Sequence, residues 1–124
     1  MGVPLQAEVA VLESQGLALQ LFPQPDRWTC LVIQAHPLPA HFNRPTTDLL
    51  IKVPPLYPYG ALDMFWTTPD LRLSTGAMPA GASPESVMGR QWLRFSWHPA
   101  TWRQGVDNVC TFLNFINQRL HRGD

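Results

Sequence analysis

The sequence contains little charge, and the charge it has is balanced. Only 15% of its 124 residues are charged, and the formal net charge at pH 7 is zero. A neutral chain with a pI near 6.9 gives no electrostatic reason to expect a nucleic acid or an anionic membrane as a partner. No apolar run approaches the roughly 20 residues that a membrane-spanning helix needs. We therefore expect neither partner, and we expect a cytoplasmic protein.

Targeting features and cysteines are also scarce. The segment MGVPLQAEVAVLESQG carries Glu8 and Glu13 and no basic stretch, so no signal peptide is expected. The two cysteines, Cys30 and Cys110, lie far apart in apolar contexts, and we predict that both are buried structural thiols. A disulfide is not expected in a cytosolic protein. The four histidines form no zinc-ligand spacing with either thiol, so no metal or other cofactor is expected.

Hydrophobic residues make up 45% of the chain, which is enough for one core and one domain, taken as residues 1–124. Apolar residues at helical spacing predict one helix over 4–14 and a second over 105–121. Four apolar runs predict strands between them: GLALQLF, WTCLVIQAH, DLLIKV and MFWTT. The loops between these runs are too short for crossover helices, so they predict a four-stranded antiparallel meander.

The segment that follows the meander, PDLRLSTGAMPAGASPESVMGR, is rich in Gly, Pro, Ala and Ser. This composition predicts an irregular excursion at the surface. The predicted order is therefore helix, meander, irregular segment and helix. Such an order defines an α+β fold with the helices packed on one sheet.

One short stretch has the composition of a functional site. GRQWLRFSWHPATWRQG, residues 89–105, combines three tryptophans, three arginines, a serine and a histidine. If the segment is extended, Ser96 and His98 share a face and can form a nucleophile–base pair. Arg94 or Arg90 is then a candidate to stabilise an oxyanion. The alternative is that this Ser-x-His pair is ordinary polar surface and that the tryptophans only pack under a loop.

No acidic residue near His98 in sequence can orient its ring, so an orienting carboxylate must come from elsewhere in the fold. Asp70 and Asp63 are the candidates that precede the site in the chain. The histidines of the HPLPAHFN loop, His36 and His41, are interpreted as loop residues without a catalytic role. Pro54, Pro55 and Tyr57 are interpreted as a rigid turn.

Several motifs resemble the ubiquitin-conjugating (E2) superfamily. The predicted third strand runs into VPPLYPYGALDMFW, which is similar to the P-x-x-YP turn of that superfamily, and Trp102 and Gly105 precede the last helix as they do there. HPLPAHFN, TDLLIKVP, GRQWLRFSWH and WRQGVDN are together similar to the bacterial group called prokaryotic E2 family E. The resemblance covers roughly residues 16–120 and implies the E2-like fold.

The chain departs from ordinary E2 enzymes at the position of the nucleophile. No cysteine lies between Gly89 and Trp102, and the His-Pro-Asn signature is missing, since TTPDLRLSTG stands in its place. The thioester mechanism of the superfamily is therefore not carried over. The resemblance instead suggests an E2-like transferase in which Ser96 accepts an acyl group as an oxyester and His98 is the base.

This resemblance also implies partners: a ubiquitin-like protein, an E1-like adenylating enzyme and a JAB-type peptidase in the same pathway. It associates such proteins with bacterial defence against phage. A second hypothesis is a catalytically inactive E2-like module that binds and positions the ubiquitin-like protein or the E1-like enzyme, which the missing cysteine favours. A third is a small Ser/His hydrolase, which the absence of a G-x-S-x-G elbow and of a third triad member disfavours.

Overall fold

A computed structural model describes residues 5–55, 57, 62, 64–96, 102–103 and 107–122. Within these residues two helices and six strands follow one another. They are α1 (Leu5–Ser14), β1 (Ala18–Pro23), β2 (Thr29–Pro37), β3 (Thr46–Val53), β4 (Phe65–Thr67), β5 (Ala82–Val87), β6 (Arg90–Phe95) and α2 (Val109–Arg122). No helix in these ranges is long and apolar enough to cross a membrane.

All six strands belong to one antiparallel sheet of order β1-β2-β3-β4-β6-β5. The antiparallel meander over β1–β4 is confirmed, but the prediction of only four strands is wrong. The stretch expected to be irregular contains β5, and the stretch read as a site contains β6. Both strands form a hairpin that extends the sheet beyond β4.

The turn of this hairpin could not be predicted from its sequence. Only Met88 and Gly89 separate β5 from β6, and both have positive φ, 54° and 72°. Two positive φ values are typical of a type I′ turn, which normally carries Asn-Gly or Asp-Gly. Pro84 also lies within β5, although proline is disfavoured in strands because it has no N–H to donate. It is tolerated here because β5 is at the edge of the sheet.

Alternating side chains divide between the two faces of the sheet. In β3, Leu49 and Ile51 face the inner side, where α1 and α2 complete the main core, and Leu50 faces the outer side. Val9 and Leu12 of α1 join the inner cluster. Both helices therefore pack on the same face, as the sequence predicted.

The last helix has the spacing that the sequence predicted but starts later. Four of its buried residues, Val109, Leu113, Ile116 and Leu120, follow one another at steps of four, three and four residues. Asn108 precedes the helix as its N-cap, since its side chain accepts a hydrogen bond from the backbone N–H of Thr111 at 3.0 Å, and the Thr111 hydroxyl accepts one from the Asn108 N–H at 2.9 Å. This reciprocal cap sets the start at residue 109 and not at 105.

Candidate functional site

Ser96 lies immediately after β6 and is exposed. Its backbone N–H donates to the carbonyl of Gly81 at 3.0 Å, so the β5–β6 pairing continues to this residue. The preceding residue, Phe95, is fully buried and stacks on Phe65 with ring centroids 4.9 Å apart. An exposed hydroxyl is therefore held on a rigid strand end, which is a favourable position for a nucleophile.

The predicted base, His98, lies outside the described residues, as do Trp97 and Asp63. The pairing of Ser96 with His98 accordingly stays a prediction. Asp70 is described, and its carboxylate is engaged by Arg44 at 2.7 Å. This ion pair ties Asp70 to the loop that follows β2.

The two arginines predicted to stabilise an oxyanion both have carboxylate partners. Arg94 contacts Glu85 of β5 at 3.1 Å, and Arg90 contacts Asp48 of β3 at 3.0 Å. Arg90 also lies over the ring of Trp92 at 4.2 Å. These pairs belong to the outer face of the sheet, so each guanidinium already has a carboxylate partner.

Glu85 is the centre of a network of polar side chains on the outer face. The Glu85 carboxylate accepts a hydrogen bond from the indole N–H of Trp66 at 3.0 Å and lies 3.7 Å from the ammonium of Lys52. Lys52 in turn lies over the Trp66 ring, 4.7 Å from its centroid. We call this arrangement the outer cover, composed of Asp48, Lys52, Glu85, Arg90 and Arg94. It shields the outer cluster, which consists of Cys30, Val32, Leu50, Trp66, Val87 and Trp92.

The cysteines differ from each other, and one prediction about them is wrong. Cys30 is buried in the outer cluster, and this burial raises the pKa of its thiol above the ordinary value. Cys110 is exposed on the first turn of α2, because the buried stripe of the helix passes through Val109 and Phe112 and leaves position 110 facing solvent. Burial therefore removes Cys30 from consideration as a nucleophile, whereas Cys110 is accessible.

A second arrangement, not foreseen from the sequence, joins α1, the proline-rich turn and the start of α2. The Tyr57 hydroxyl donates to Glu8 Oε2 at 2.5 Å and accepts from the backbone N–H of Val109 at 2.9 Å. Burial and then the neighbouring Glu8 carboxylate raise the pKa of Tyr57 above its ordinary value, so the phenol stays protonated. The rigid turn expected at Tyr57 is therefore held by a carboxylate and a helix N-terminus.

Beside this arrangement the first turns of α2 border a groove. Its volume is about 330 Å³, and its lining includes Trp102, Asp107 and Phe115. Trp102 is half-buried, with its ring 6.4 Å from that of Tyr57. Arg103 and Asp107 close one side through a salt bridge at 3.1 Å. The groove combines aromatic and polar groups along the exposed side of α2.

The remaining predicted loop histidines contact α2. His36 is buried and contacts the side-chain oxygen of Asn117 at 2.8 Å, and burial lowers the pKa of its ring. A bulge at Ala35, with φ of 55°, turns His36 toward the helix. His41 contacts the carbonyl of Leu120 at 2.6 Å near the end of α2. His36 therefore lies in β2 and not in the loop where it was expected, and it links that strand to α2, whereas His41 links the following loop to α2.

No three His, Cys, Asp or Glu side chains in the described ranges gather as a metal site. A pocket of about 490 Å³ on the outer face, near the β1–β2 turn, is lined by residues that include Trp28, Cys30 and Lys52 and does not include Ser96. Of the predicted site, the structure therefore describes an exposed hydroxyl at Ser96 and two arginines that are paired with carboxylates.

Comparison with known proteins agrees with this fold. The family model of prokaryotic E2 family E matches residues 5–123, which is nearly the whole chain. The chain belongs to prokaryotic E2 family E, a group of E2-like proteins. No curated protein and no solved structure matches the chain. The family assignment indicates a role related to protein conjugation.

Proposed function

We propose that this protein is an E2-like carrier that accepts the C-terminus of a ubiquitin-like protein from an E1-like enzyme, with Ser96 as the acceptor. One observation carries the proposal: Ser96 is exposed at the end of a strand whose neighbouring residue, Phe95, is fully buried. The chain offers no cysteine between Gly89 and Trp102. The Ser96 hydroxyl, on a backbone fixed by pairing with Gly81, is the nucleophile that we assign to this position.

In the proposed step the Ser96 oxygen attacks the carbonyl carbon of the acyl group that the E1-like enzyme carries as a thioester. A new C–O bond forms, the C–S bond breaks, and the thiolate of the E1-like enzyme leaves. His98 removes the hydroxyl proton during the attack and passes it to the leaving sulfur. Because an alcohol is essentially un-ionised at neutral pH, the base is required at the moment of attack.

The groove beside Trp102 fits this proposal as the place where the extended tail of the ubiquitin-like protein lies. Apolar rings on one side and the Arg103–Asp107 pair on the other offer both packing and hydrogen bonds to a peptide. Arg90 and Arg94 contribute through the outer cover, because their carboxylate partners fix β6 and thereby fix Ser96.

The test is reconstitution with the cognate E1-like enzyme, the ubiquitin-like protein and ATP, followed by mapping of the adduct by mass spectrometry. An oxyester on Ser96 resists thiols and is cleaved by hydroxide. Ser96→Ala should abolish the adduct, and His98→Ala should slow it by about 10²–10⁴-fold. Ser86→Ala, at an exposed serine in the same hairpin, is the matched control and should leave the rate unchanged.

Two further variants distinguish the nucleophiles. Ser96→Cys should give a thiol-sensitive adduct at the same position. Cys110→Ala removes the one accessible thiol of the described residues and should leave adduct formation intact. A thiol-sensitive adduct on the wild-type protein that Cys110→Ala eliminates would transfer the acceptor role from Ser96 to Cys110.

A specific observation also favours the second candidate function, a non-catalytic module that binds the ubiquitin-like protein or the E1-like enzyme. The two arginines expected at an oxyanion are both engaged by carboxylates, Arg90 by Asp48 and Arg94 by Glu85. In that case no adduct should map to this chain in the reconstitution, whereas calorimetry should detect binding of one of the two partners.

A further inference from the structure

The sheet has two edges, and they differ in how far they are protected. The β5 edge contains Pro84 and the ion-paired Glu85. The β1 edge, ALQLFP, contains no charged residue, and its one proline is its last residue. Within the described ranges β1 pairs only with β2. Natural proteins normally protect an edge with charge, proline or a bulge, because unpaired backbone groups attract another strand.

The register of β1 shows which backbone groups face away from β2. The N–H of Gln24 donates to the carbonyl of Trp28 at 2.7 Å, so this pair is of the hydrogen-bonded type. Hydrogen-bonded and non-bonded pairs alternate along an antiparallel ladder. Phe22 and Gln20, which oppose Cys30 and Val32, therefore bond to β2. The intervening Leu19 and Leu21 direct their N–H and C=O groups to the open edge.

Both ends of this open edge are closed to further pairing. The N–H of Leu17 already donates to the carbonyl of Leu12 at 3.3 Å. Pro23 has no N–H to donate. The edge therefore offers two N–H donors, those of Leu19 and Leu21, and the carbonyls of the same two residues are available to accept in return. Its apolar side chains lie on both sides: Phe22 is 39% exposed on the outer face, and Leu17 and Leu21 are half-buried at the margin of the inner core.

We propose that the β1 edge pairs with the β1 edge of a second copy of this chain, antiparallel about a two-fold axis at Gln20. Leu19 of each copy then opposes Leu21 of the other, and each of these two pairs exchanges two hydrogen bonds. Pro23, which lacks a donor, opposes Leu17, whose donor is already used. The blocked ends thus coincide, and no outward N–H is left without a partner.

The chemistry of the strand itself selects this occupant. A partner strand for this edge should be short, uncharged and largely apolar, and β1 meets all three conditions. Self-pairing brings no like charges together within the strand. Because a single strand pair is small compared with the interfaces of stable dimers, the association should be weak, in about the micromolar range or above. This inference does not depend on the conjugation function.

The axis makes a sharp test possible, because residue 20 opposes itself. Gln20 and its copy form a non-bonded pair with Cα atoms about 4.5 Å apart, where side chains interact most closely. Gln20→Lys should therefore weaken the dimer at least tenfold, as measured by sedimentation velocity from micromolar to near-millimolar concentration. Gln20→Glu should do the same, and a mixture of the two variants should dimerise more tightly than either alone. Gln34→Lys places the same charge at an exposed position on β2 and should change the dissociation constant less than twofold.

Amide hydrogen exchange gives a second readout that does not rely on variants. In dilute samples the amides of Leu19 and Leu21 should exchange fast while those of Gln20 and Phe22 are protected. At high concentration Leu19 and Leu21 should become protected too. A wild-type chain that stays monomeric at every concentration, or a dimer that Gln20→Lys leaves intact, would refute the proposal. If Leu19 and Leu21 become protected only when a ubiquitin-like protein is added, the edge belongs to that partner and self-pairing is wrong.

Discussion

The inner face of the sheet lies under two helices, whereas the outer face lies under its own charged side chains. On the inner side Leu49 and Ile51 contact a large apolar core that includes residues of α1 and α2. On the outer side Leu50 and Trp92 are equally buried, but beneath Lys52 and the other members of the outer cover. The aliphatic stems of Lys and Arg can cover apolar surface while their charges reach water or a carboxylate. Side chains with the same exposed fraction are therefore packed against helices on one face and under flexible charged side chains on the other.

The largest expected effect compares two adjacent leucines of β3. Both Leu49 and Leu50 are fully buried, so the free energy of transferring the side chain from water to the interior is the same for each. Leu49→Ala should destabilise by about 4 kcal/mol and Leu50→Ala by about 2 kcal/mol, because a cavity beneath mobile side chains collapses more easily than one between a sheet and a helix. Urea unfolding measures both. Equal losses for the two variants would show that the outer cover is as rigid as the inner core.

The next effect compares the two cysteines. Cys30→Ser places a hydroxyl in the outer cluster and should destabilise by about 1–3 kcal/mol. Cys110→Ser, at an exposed position, should change stability by less than about 0.5 kcal/mol. Ellman's reagent should modify Cys110 rapidly and Cys30 only as the protein opens. Rapid modification of both thiols in the native protein would contradict the burial of the outer cluster.

The charge of Glu85 should have a smaller effect that depends on salt. Glu85→Gln preserves an acceptor for Trp66 but removes the charge that attracts Lys52 and Arg94. We expect a loss of about 1 kcal/mol at low salt that shrinks near 1 M NaCl, where the Debye length is about 3 Å. Asp70→Asn breaks the more exposed pair with Arg44 and should lose less than about 0.5 kcal/mol. A salt-independent loss at Glu85 would indicate packing as the cause.

The smallest expected effect is a pH dependence of the free energy of unfolding. It arises from His36, on the side of the sheet that the helices cover. Burial lowers the pKa of His36 in the folded state below its ordinary 6.5. The unfolded chain therefore binds the proton first as the pH falls, so this contribution is complete above pH 6.5 and is lost below it. Between pH 7.5 and 5.5 this group should lower the free energy of unfolding by a few tenths of a kcal/mol per pH unit. The maximum slope for a single proton is about 1.4 kcal/mol per pH unit. His36→Gln should flatten that slope, and the same change at exposed His121 is the control.

Much of the architecture could be predicted from local pattern. Apolar residues at helical spacing predicted the two helices, because burial of one side of a helix imposes its own period. Apolar runs joined by short loops predicted the antiparallel meander, because such loops leave no room for crossover helices. Ser96 was predicted as the site residue from its neighbours in the sequence, and the structure shows that its side chain is exposed. Its acyl acceptor role stays a prediction.

Tertiary structure decided the rest, because the relevant partners are distant in sequence. β5 became a strand only through pairing with β6, which compensates for Pro84 and for a turn at Met88 that has no sequence signal. Arg90 and Arg94 were predicted as candidates to stabilise an oxyanion, and the fold places them opposite carboxylates that Asp48 and Glu85 bring from other strands. Residue types and their spacing thus determined which face of each element is apolar, whereas the sheet register determined which charges meet and which strand edge was left open.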